Sequence, residues 1–192
     1  MAARPAVVGS VETVVTYLEM TAPPTTPALR PPCADLEIRV ARQTTVSYYR
    51  YLYETVGREW TWVVRRLLSD DELQEILADP ATEVNVLWLA GVPAGYAELD
   101  RRPAPDIELA YFGLMPEFIG RGLGRYLLDW TIRHAWRSRP RRLLVDTCDL
   151  DHPRALPVYQ KSGFRIYDRR RERLALLEGM APPRRIGEKV SL

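Results

Sequence analysis

Apolar and aromatic side chains return at Val46, Tyr49, Tyr53 and Val56, a three-and-four spacing that puts them on one face of a helix, with Gly57 as a fitting stop. A second stretch, SDDELQEILADP, starts with Ser69 and has Glu72 three residues later. This is the capping-box arrangement, in which two side chains satisfy the first free amides of a helix. EWTWVVRRLL between them is strongly apolar, so two or three helices are expected between residues 44 and 79. The period then changes. TEVNVLWLAG alternates around Val84, Val86 and Trp88, VPAGYAELDRR follows Gly91 closely enough to be the return arm of a hairpin, and DIELAYFGLM is a third strand candidate. From Gly122 to about Ser138 helical spacing returns, with Leu123, Leu127, Thr131 and Ala135 on one stripe and Leu128 and Ile132 beside it. RRLLVDT reads as a strand, HPRALPVYQKSG holds a short helix, and FRIYDRRRERLALLEGM offers one or two strands.

The first residues read differently. VETVVTYLEM has the β-branched and aromatic bias of a strand, and LEIRVA is a further short candidate. TAPPTTPALRPPCA between them can be neither regular helix nor central strand, because proline lacks the amide donor and restricts its predecessor; it is a linker or an extended crossing segment. The order is mixed α/β and shows no internal repeat. A chain of 192 residues, 46% of them hydrophobic, supports one sizeable core. We expect residues 1–34 to belong to the same single domain as residues 35–178, and 179–192, which lack apolar periodicity, to form a flexible tail.

Charge and cysteines narrow the field. Lys and Arg number 27 against 25 Asp and Glu, too balanced a count for charge alone to imply nucleic acid. Cys33 and Cys148 stand far apart, which gives neither a disulfide framework nor a cysteine-rich metal site, and the two histidines, His134 and His152, are not spaced as ligands. No apolar run approaches the roughly 20 residues that span a bilayer. The expectation is a soluble, cytoplasmic protein with no metal and no membrane or nucleic-acid partner.

Residues 114–133 read LMPEFIGRGLGRYLLDWTIR, three glycines between an apolar strand and an amphipathic helix. Counted from Gly120 or Gly122, the last position of a dinucleotide G-x-G-x-x-G falls on Arg125 or Leu127, and no lysine is present for a P-loop. What remains is a short turn whose amides converge at a helix N-terminus, where glycines let a phosphate approach the backbone. Arg121 and Arg125 add positive charge, so the expected ligand group is a phosphate or pyrophosphate.

These residues resemble the GNAT superfamily of acyl-CoA-dependent N-acetyltransferases. IGRGLG (119–124), after LMP (114–116), is similar to the family's pyrophosphate signature [Q/R]-x-x-G-x-[G/A], with Ile119 departing at the first position. HPRALPVYQKSGF (152–164) is similar to its second signature, N-x-x-A-x-x-x-Y-x-x-x-G-F: Ala155, Tyr159, Gly163 and Phe164 match, and His152 stands where asparagine is usual. The resemblance covers roughly residues 82–168 and says little about residues 1–80.

The resemblance implies an α/β fold with a mixed, largely antiparallel sheet flanked by helices and splayed between the strands before and after the main helix. It also implies that the chain moves an acetyl group from acetyl-CoA to a primary amine by direct attack in a ternary complex, with no catalytic role for cysteine. On it, Leu114 and Met115 with Ile119, Gly120, Arg121, Gly122, Leu123, Gly124 and Arg125 form the cofactor cradle, and His152 caps a helix or touches CoA. Tyr159 takes the place of the general acid that protonates the CoA sulfur; the bland alternative is a tyrosine packing its helix on the sheet. Glu108 is the candidate base. If Leu109, Tyr111 and Gly113 share one strand face, Glu108, Ala110 and Phe112 share the other; a solvated glutamate or a carboxylate that binds the acceptor are its alternatives.

Tyr48, Tyr49, Tyr51 and Tyr53 cannot all face one core stripe, so some of them, with Trp60 and Trp62, are exposed or line a cleft. RRRER (169–173) reads as a solvated strand or turn. The acceptor is a small-molecule or peptide amine, and the oligomeric state is open, a homodimer included. The rival readings are a catalytically weak acyl-CoA sensor or interaction module and, ranked last, a nucleic-acid module.

Overall fold

The computed structural model describes residues 4–180, 182 and 183, so most of the expected tail lies outside the described residues. In chain order the elements are β1 (Val7–Met20), β2 (Leu36–Val40), α1 (Val46–Gly57), α2 (Asp70–Ala78), β3 (Thr82–Leu89), β4 (Val92–Asp100), β5 (Ile107–Leu114), α3 (Leu123–Trp136), β6 (Leu143–Cys148), α4 (Ala155–Lys161) and β7 (Arg165–Leu177). The seven strands form one sheet in the order β2-β3-β4-β5-β6-β1-β7. Every neighbouring pair is antiparallel except β5 with β6.

Each face of the sheet carries its own core. On one side Leu123, Leu127, Leu128, Ile132 and Ala135 of α3 pack with Leu99, Leu109, Leu143 and Val145, and Tyr159 and Phe164 join this layer from α4 and its exit. On the other, Tyr49, Leu52, Tyr53 and Val56 of α1 and Leu73 of α2 pack on Val84, Val86 and Tyr96. The stripe read for 122–138 is buried as expected, and Thr131, polar among its members, donates its hydroxyl to the Leu127 carbonyl 2.8 Å away. The Ser69–Glu72 capping box opens α2, and the Thr45 hydroxyl accepts the Tyr48 amide at the start of α1. EWTWVVRRLL adds one short 3₁₀ turn, Val64–Arg66, which points Arg65 inward. No helix among the described residues is long and apolar enough to cross a membrane.

The N-terminal strand decides the topology. β1 inserts between β6 and β7 and pairs antiparallel with both. With a partner along its length, FRIYDRRRERLALLEGM becomes one long edge strand, in which RRRER lies largely exposed. The proline-rich segment then crosses to the opposite edge of the sheet, where β2 pairs with β3. Its backbone, unable to join a ladder, is met by side chains of α3: the Leu29 amide donates to the Asp129 carboxylate at 3.0 Å, and Arg133 donates to the carbonyls of Thr26 and Pro27 at 2.8 and 3.1 Å.

Two irregularities shape the centre of the sheet. In the β4–β5 ladder Glu98 pairs with Tyr111 but Leu99 pairs with Leu109, so Ala110 is an extra residue in β5. Simple alternation along this strand therefore fails. Leu109 packs on the α3 side while Tyr111 packs on the α1 side, and Glu108 shares its face with Tyr111 instead of with Phe112. The second irregularity is the parallel β5–β6 ladder, which holds only Ile107 with Leu143 and Glu108 with Leu144 before the strands part.

Candidate active site

The parted strands open a cavity of about 760 Å³ that passes between the two faces of the sheet. At one end is the glycine turn. Gly120 and Gly122 have φ of +84° and +79°, a left-handed backbone that favours glycine, and Gly122 is the N-cap of α3. A side chain at Gly120 would meet nothing within 4 Å, so the turn leaves open space above its backbone. The first amides of α3 have no partner within the helix and add the positive end of its dipole. Arg125 lines the same end. Together they fit a pyrophosphate without needing a basic side chain where Ile119 stands, half exposed on the rim.

The other expected cradle residues divide. Leu114, Ile119, Gly120, Gly122, Gly124, Arg125 and His152 line the cavity, whereas Met115, Arg121 and Leu123 do not. Met115 is buried in the α1 core and its amide donates to the Ala94 carbonyl at 2.9 Å. Leu123 is buried on the α3 side, which leaves its backbone amide for the turn, and Arg121 lies over the ring of Phe118 at 5.5 Å. Beyond Glu108 the β6-facing edge of β5 has no ladder partner, so its backbone groups face the gap.

Tyr159 reaches the gap from the α3 side, packed edge-on against Phe112 and Phe164 at centroid distances of 6.2 and 6.0 Å. It is only 6% exposed, lines the cavity, and its hydroxyl has no hydrogen-bond partner among the described residues. Burial, reinforced by the carboxylates of Asp151 and Asp146, drives its pKa far above the ordinary tyrosine range, so it is a protonated donor at any physiological pH. His152 orders the start of α4: its carbonyl accepts the Ala155 amide at 2.8 Å and its Nδ1 the Arg154 amide at 3.0 Å, while its ring meets Trp60 edge-on at 5.0 Å. Burial lowers its pKa, which keeps the imidazole neutral.

The α1 side of the gap is carboxylate-rich. Glu98, fully buried, accepts from the Tyr49 hydroxyl and from Arg65 Nη2 at 2.6 Å. Asp100 is held by Arg102 in a two-pronged pair. Glu108 faces the same space, its pKa raised by burial and then by Asp100 and Glu98. Asp146 of β6 faces it from across the gap. Its surface opens to the cavity while protein closes around it, and this desolvation, with Glu108, Asp151 and Glu172 nearby, pushes its pKa up to about 7. Asp151 is fixed by donations from Trp62 Nε1, Thr147 Oγ1 and the Cys148 amide at 3.3, 2.9 and 3.1 Å. No group of three or more His, Cys, Asp or Glu side chains among the described residues is arranged to hold a metal ion.

Sequence reading missed Asp146, although a signal existed: in LLVDTC every other residue, Leu143, Val145 and Thr147, is buried, and Asp146 interrupts the alternate face. Tyr17 and Glu172, which also line the cavity, carried no local signal. The aromatic cluster separates as helical geometry requires. Tyr49 and Tyr53 are buried, Tyr51 is 48% exposed and stacks on Tyr48, and Tyr53, Trp60 and Trp62 form a wall of the cavity.

Comparison with known proteins agrees with this geometry. Residues 49–164, more than half of the chain, match the model of the Acetyltransferase (GNAT) family. Among solved structures, a GCN5-related N-acetyltransferase from Sphaerobacter thermophilus superposes with a TM-score of 0.61 at 18% identity, over 91% of this chain and 56% of its own. One from Kribbella flavida gives 0.56 at 15%, over 89% and 61%. An aminoglycoside N-acetyltransferase in complex with CoA gives 0.50 at 22%, over 71% and 92%. The chain spans between 53% and 63% of the length of four of the structures it matches. No curated protein matches it in sequence. With the family model spanning the turn, the parted strands and Tyr159, the chain belongs to the GNAT acetyltransferase family.

Proposed function

We propose that this protein is an N-acetyltransferase that moves an acetyl group from acetyl-CoA to a primary amine by direct attack in a ternary complex. The observation that carries the reading is the break in the β5–β6 ladder after Glu108, with the glycine turn at one end and the unpartnered Tyr159 hydroxyl in the opening. Acetyl-CoA, when bound, supplies an activated acyl carbonyl and a thiolate leaving group.

The chain's own residues do the rest. The turn amides of residues 120–125 and Arg125 hold the pyrophosphate, and the free edge of β5 directs the pantetheine arm through the gap. Asp146, with Glu108 beside it as the second member of a coupled pair, accepts a proton from the acceptor ammonium. The neutral nitrogen then forms its bond to the acyl carbon as the carbon–sulfur bond breaks. Tyr159 gives its proton to the sulfur and regains one from the new amide nitrogen. Of the two protons the ammonium loses, one reaches solvent through Asp146 and one ends on the thiol.

A thiol-release assay with acetyl-CoA across classes of amine tests this, alongside calorimetric titration of acetyl-CoA. Binding with amine-dependent release, abolished or severely slowed in Tyr159→Phe, is expected. Binding without release for every amine class would overturn the transferase reading and leave an acyl-CoA sensor; a folded protein that does not bind would remove both.

A further inference from the structure

The acceptor end of the cavity holds more negative charge than the chemistry of one amine requires. Its cations are committed: Arg65 to Glu98 and Arg102 to Asp100, at 2.6 and 2.5 Å. Arg125 and Arg154 belong to the opposite, phosphate-facing end, at the starts of α3 and α4. Glu108, Asp146 and Glu172 therefore face the cavity without a cation partner among the described residues. Tyr17 sits directly opposite Asp146 in the β1–β6 ladder and donates its hydroxyl to Glu172 of β7, whose own ladder partner is Thr13, so the Tyr17 side chain links Asp146 to Glu172 diagonally across three strands. Tyr17, Trp60, Trp62 and Tyr111 line the same cavity, with Arg170 already over the Tyr17 ring at 5.1 Å and Arg65 over the Tyr111 ring at 5.2 Å. The unpartnered hydroxyl of Tyr159, on a residue 6% exposed, marks independently where the cavity expects a ligand.

Uncompensated carboxylates in such an enclosure are costly, and a ligand cation is what offsets them. We propose that the acceptor is a small di- or polyammonium compound. One amine gives up a proton at Asp146 and is acetylated in the gap, while a second stays cationic and is held by Glu172. This rests on the transferase reading and adds the charge of the substrate to it. Monoamines leave Glu172 uncompensated, and amino acids bring a carboxylate against it.

The test is thiol release with acetyl-CoA and α,ω-diaminoalkanes of three to five carbons, matched n-alkylamines and matched ω-amino acids, on wild type and Glu172→Gln. We expect kcat/KM for the best diamine to exceed that of its monoamine by tenfold or more, the ω-amino acid to be slowest, and the diamine-to-monoamine ratio to fall at least tenfold in Glu172→Gln. Calorimetric binding of acetyl-CoA by the variant shows that it is folded. Monoamines or amino acids turned over as well as diamines overturn the polyammonium assignment and leave the transferase reading standing. Release with no amine, despite acetyl-CoA binding, overturns both.

Discussion

Asp146 and Tyr159 approach the gap between β5 and β6 from opposite faces of the sheet. Asp146 alternates with Val145, which packs toward α3, and so projects to the α1 side; Tyr159 sits in the α3-side core. The proposed proton acceptor and proton donor are thereby kept apart by the width of the sheet, with the reacting bond between them. Both have raised pKa values from burial, with different consequences. A carboxyl raised to about 7 can exchange a proton near neutrality, whereas a tyrosine raised above its ordinary range stays a donor.

Tyr159→Phe removes a hydroxyl that bonds nothing in the described protein, so it should cost less than about 1 kcal/mol of stability. The rate should fall by about 10²–10⁴-fold with KM for acetyl-CoA nearly unchanged, as removal of a general acid predicts. Urea unfolding and steady-state kinetics on the same preparation check both halves. A large loss of stability with little loss of kcat would identify a packing residue.

Asp146→Asn should affect stability and the pH profile together. The unfolded Asp146 ionises near 3.8 and the folded one near 7, so between these values the unfolded chain binds fewer protons and stability falls as pH rises. The asparagine variant escapes this penalty. At pH 8 it should be more stable than wild type by about 1 kcal/mol, after discounting for water in the cavity, with the gap closing below about pH 4. Wild-type kcat/KM should climb through about pH 7, and the variant should lose that limb along with most of its rate. An unaltered limb would move the base to Glu108, which Glu108→Gln then tests.

Gly122→Glu places a charge at a cradle proposed for phosphate and a side chain at φ +79°, where non-glycine residues lose about 1–2 kcal/mol. Calorimetry should show acetyl-CoA affinity reduced by at least tenfold. Gly122→Ala shares the strain without the charge and should retain more of the affinity.

Arg65→Met leaves the fully buried Glu98 without its cation, and breaking such a pair is expected to cost about 3–5 kcal/mol. Tyr49→Phe removes only one hydrogen bond to the same carboxylate, for about 1.5–3 kcal/mol. The order of the two urea midpoints is the measurement; a reversed order would mean that Arg65 is compensated by water.

Local spacing made much of this protein legible. The α3 stripe, the α2 capping box and the β3–β4 hairpin depend on residues within a few positions of one another, and the structure has them as read. The glycine turn and Tyr159 were visible for the same reason: each is a short segment whose residues act together. That Glu108 lies on a strand was legible, but the residues that share its face were not, because the one-residue bulge at Ala110 changes the face of everything after it and leaves no mark in composition.

What no window of sequence contained is the meeting of Asp146, Tyr17 and Glu172. Those residues lie far apart along the chain and meet only because β1 enters the sheet between β6 and β7. The sequence by itself determined the elements, the apolar faces of the helices and the glycine turn before α3, since helix periodicity, capping and glycine's backbone freedom are local properties. Strand order and register are settled by long-range pairing and the burial of both faces at once. The tertiary structure alone therefore decided where the sheet opens and which carboxylates share the opening.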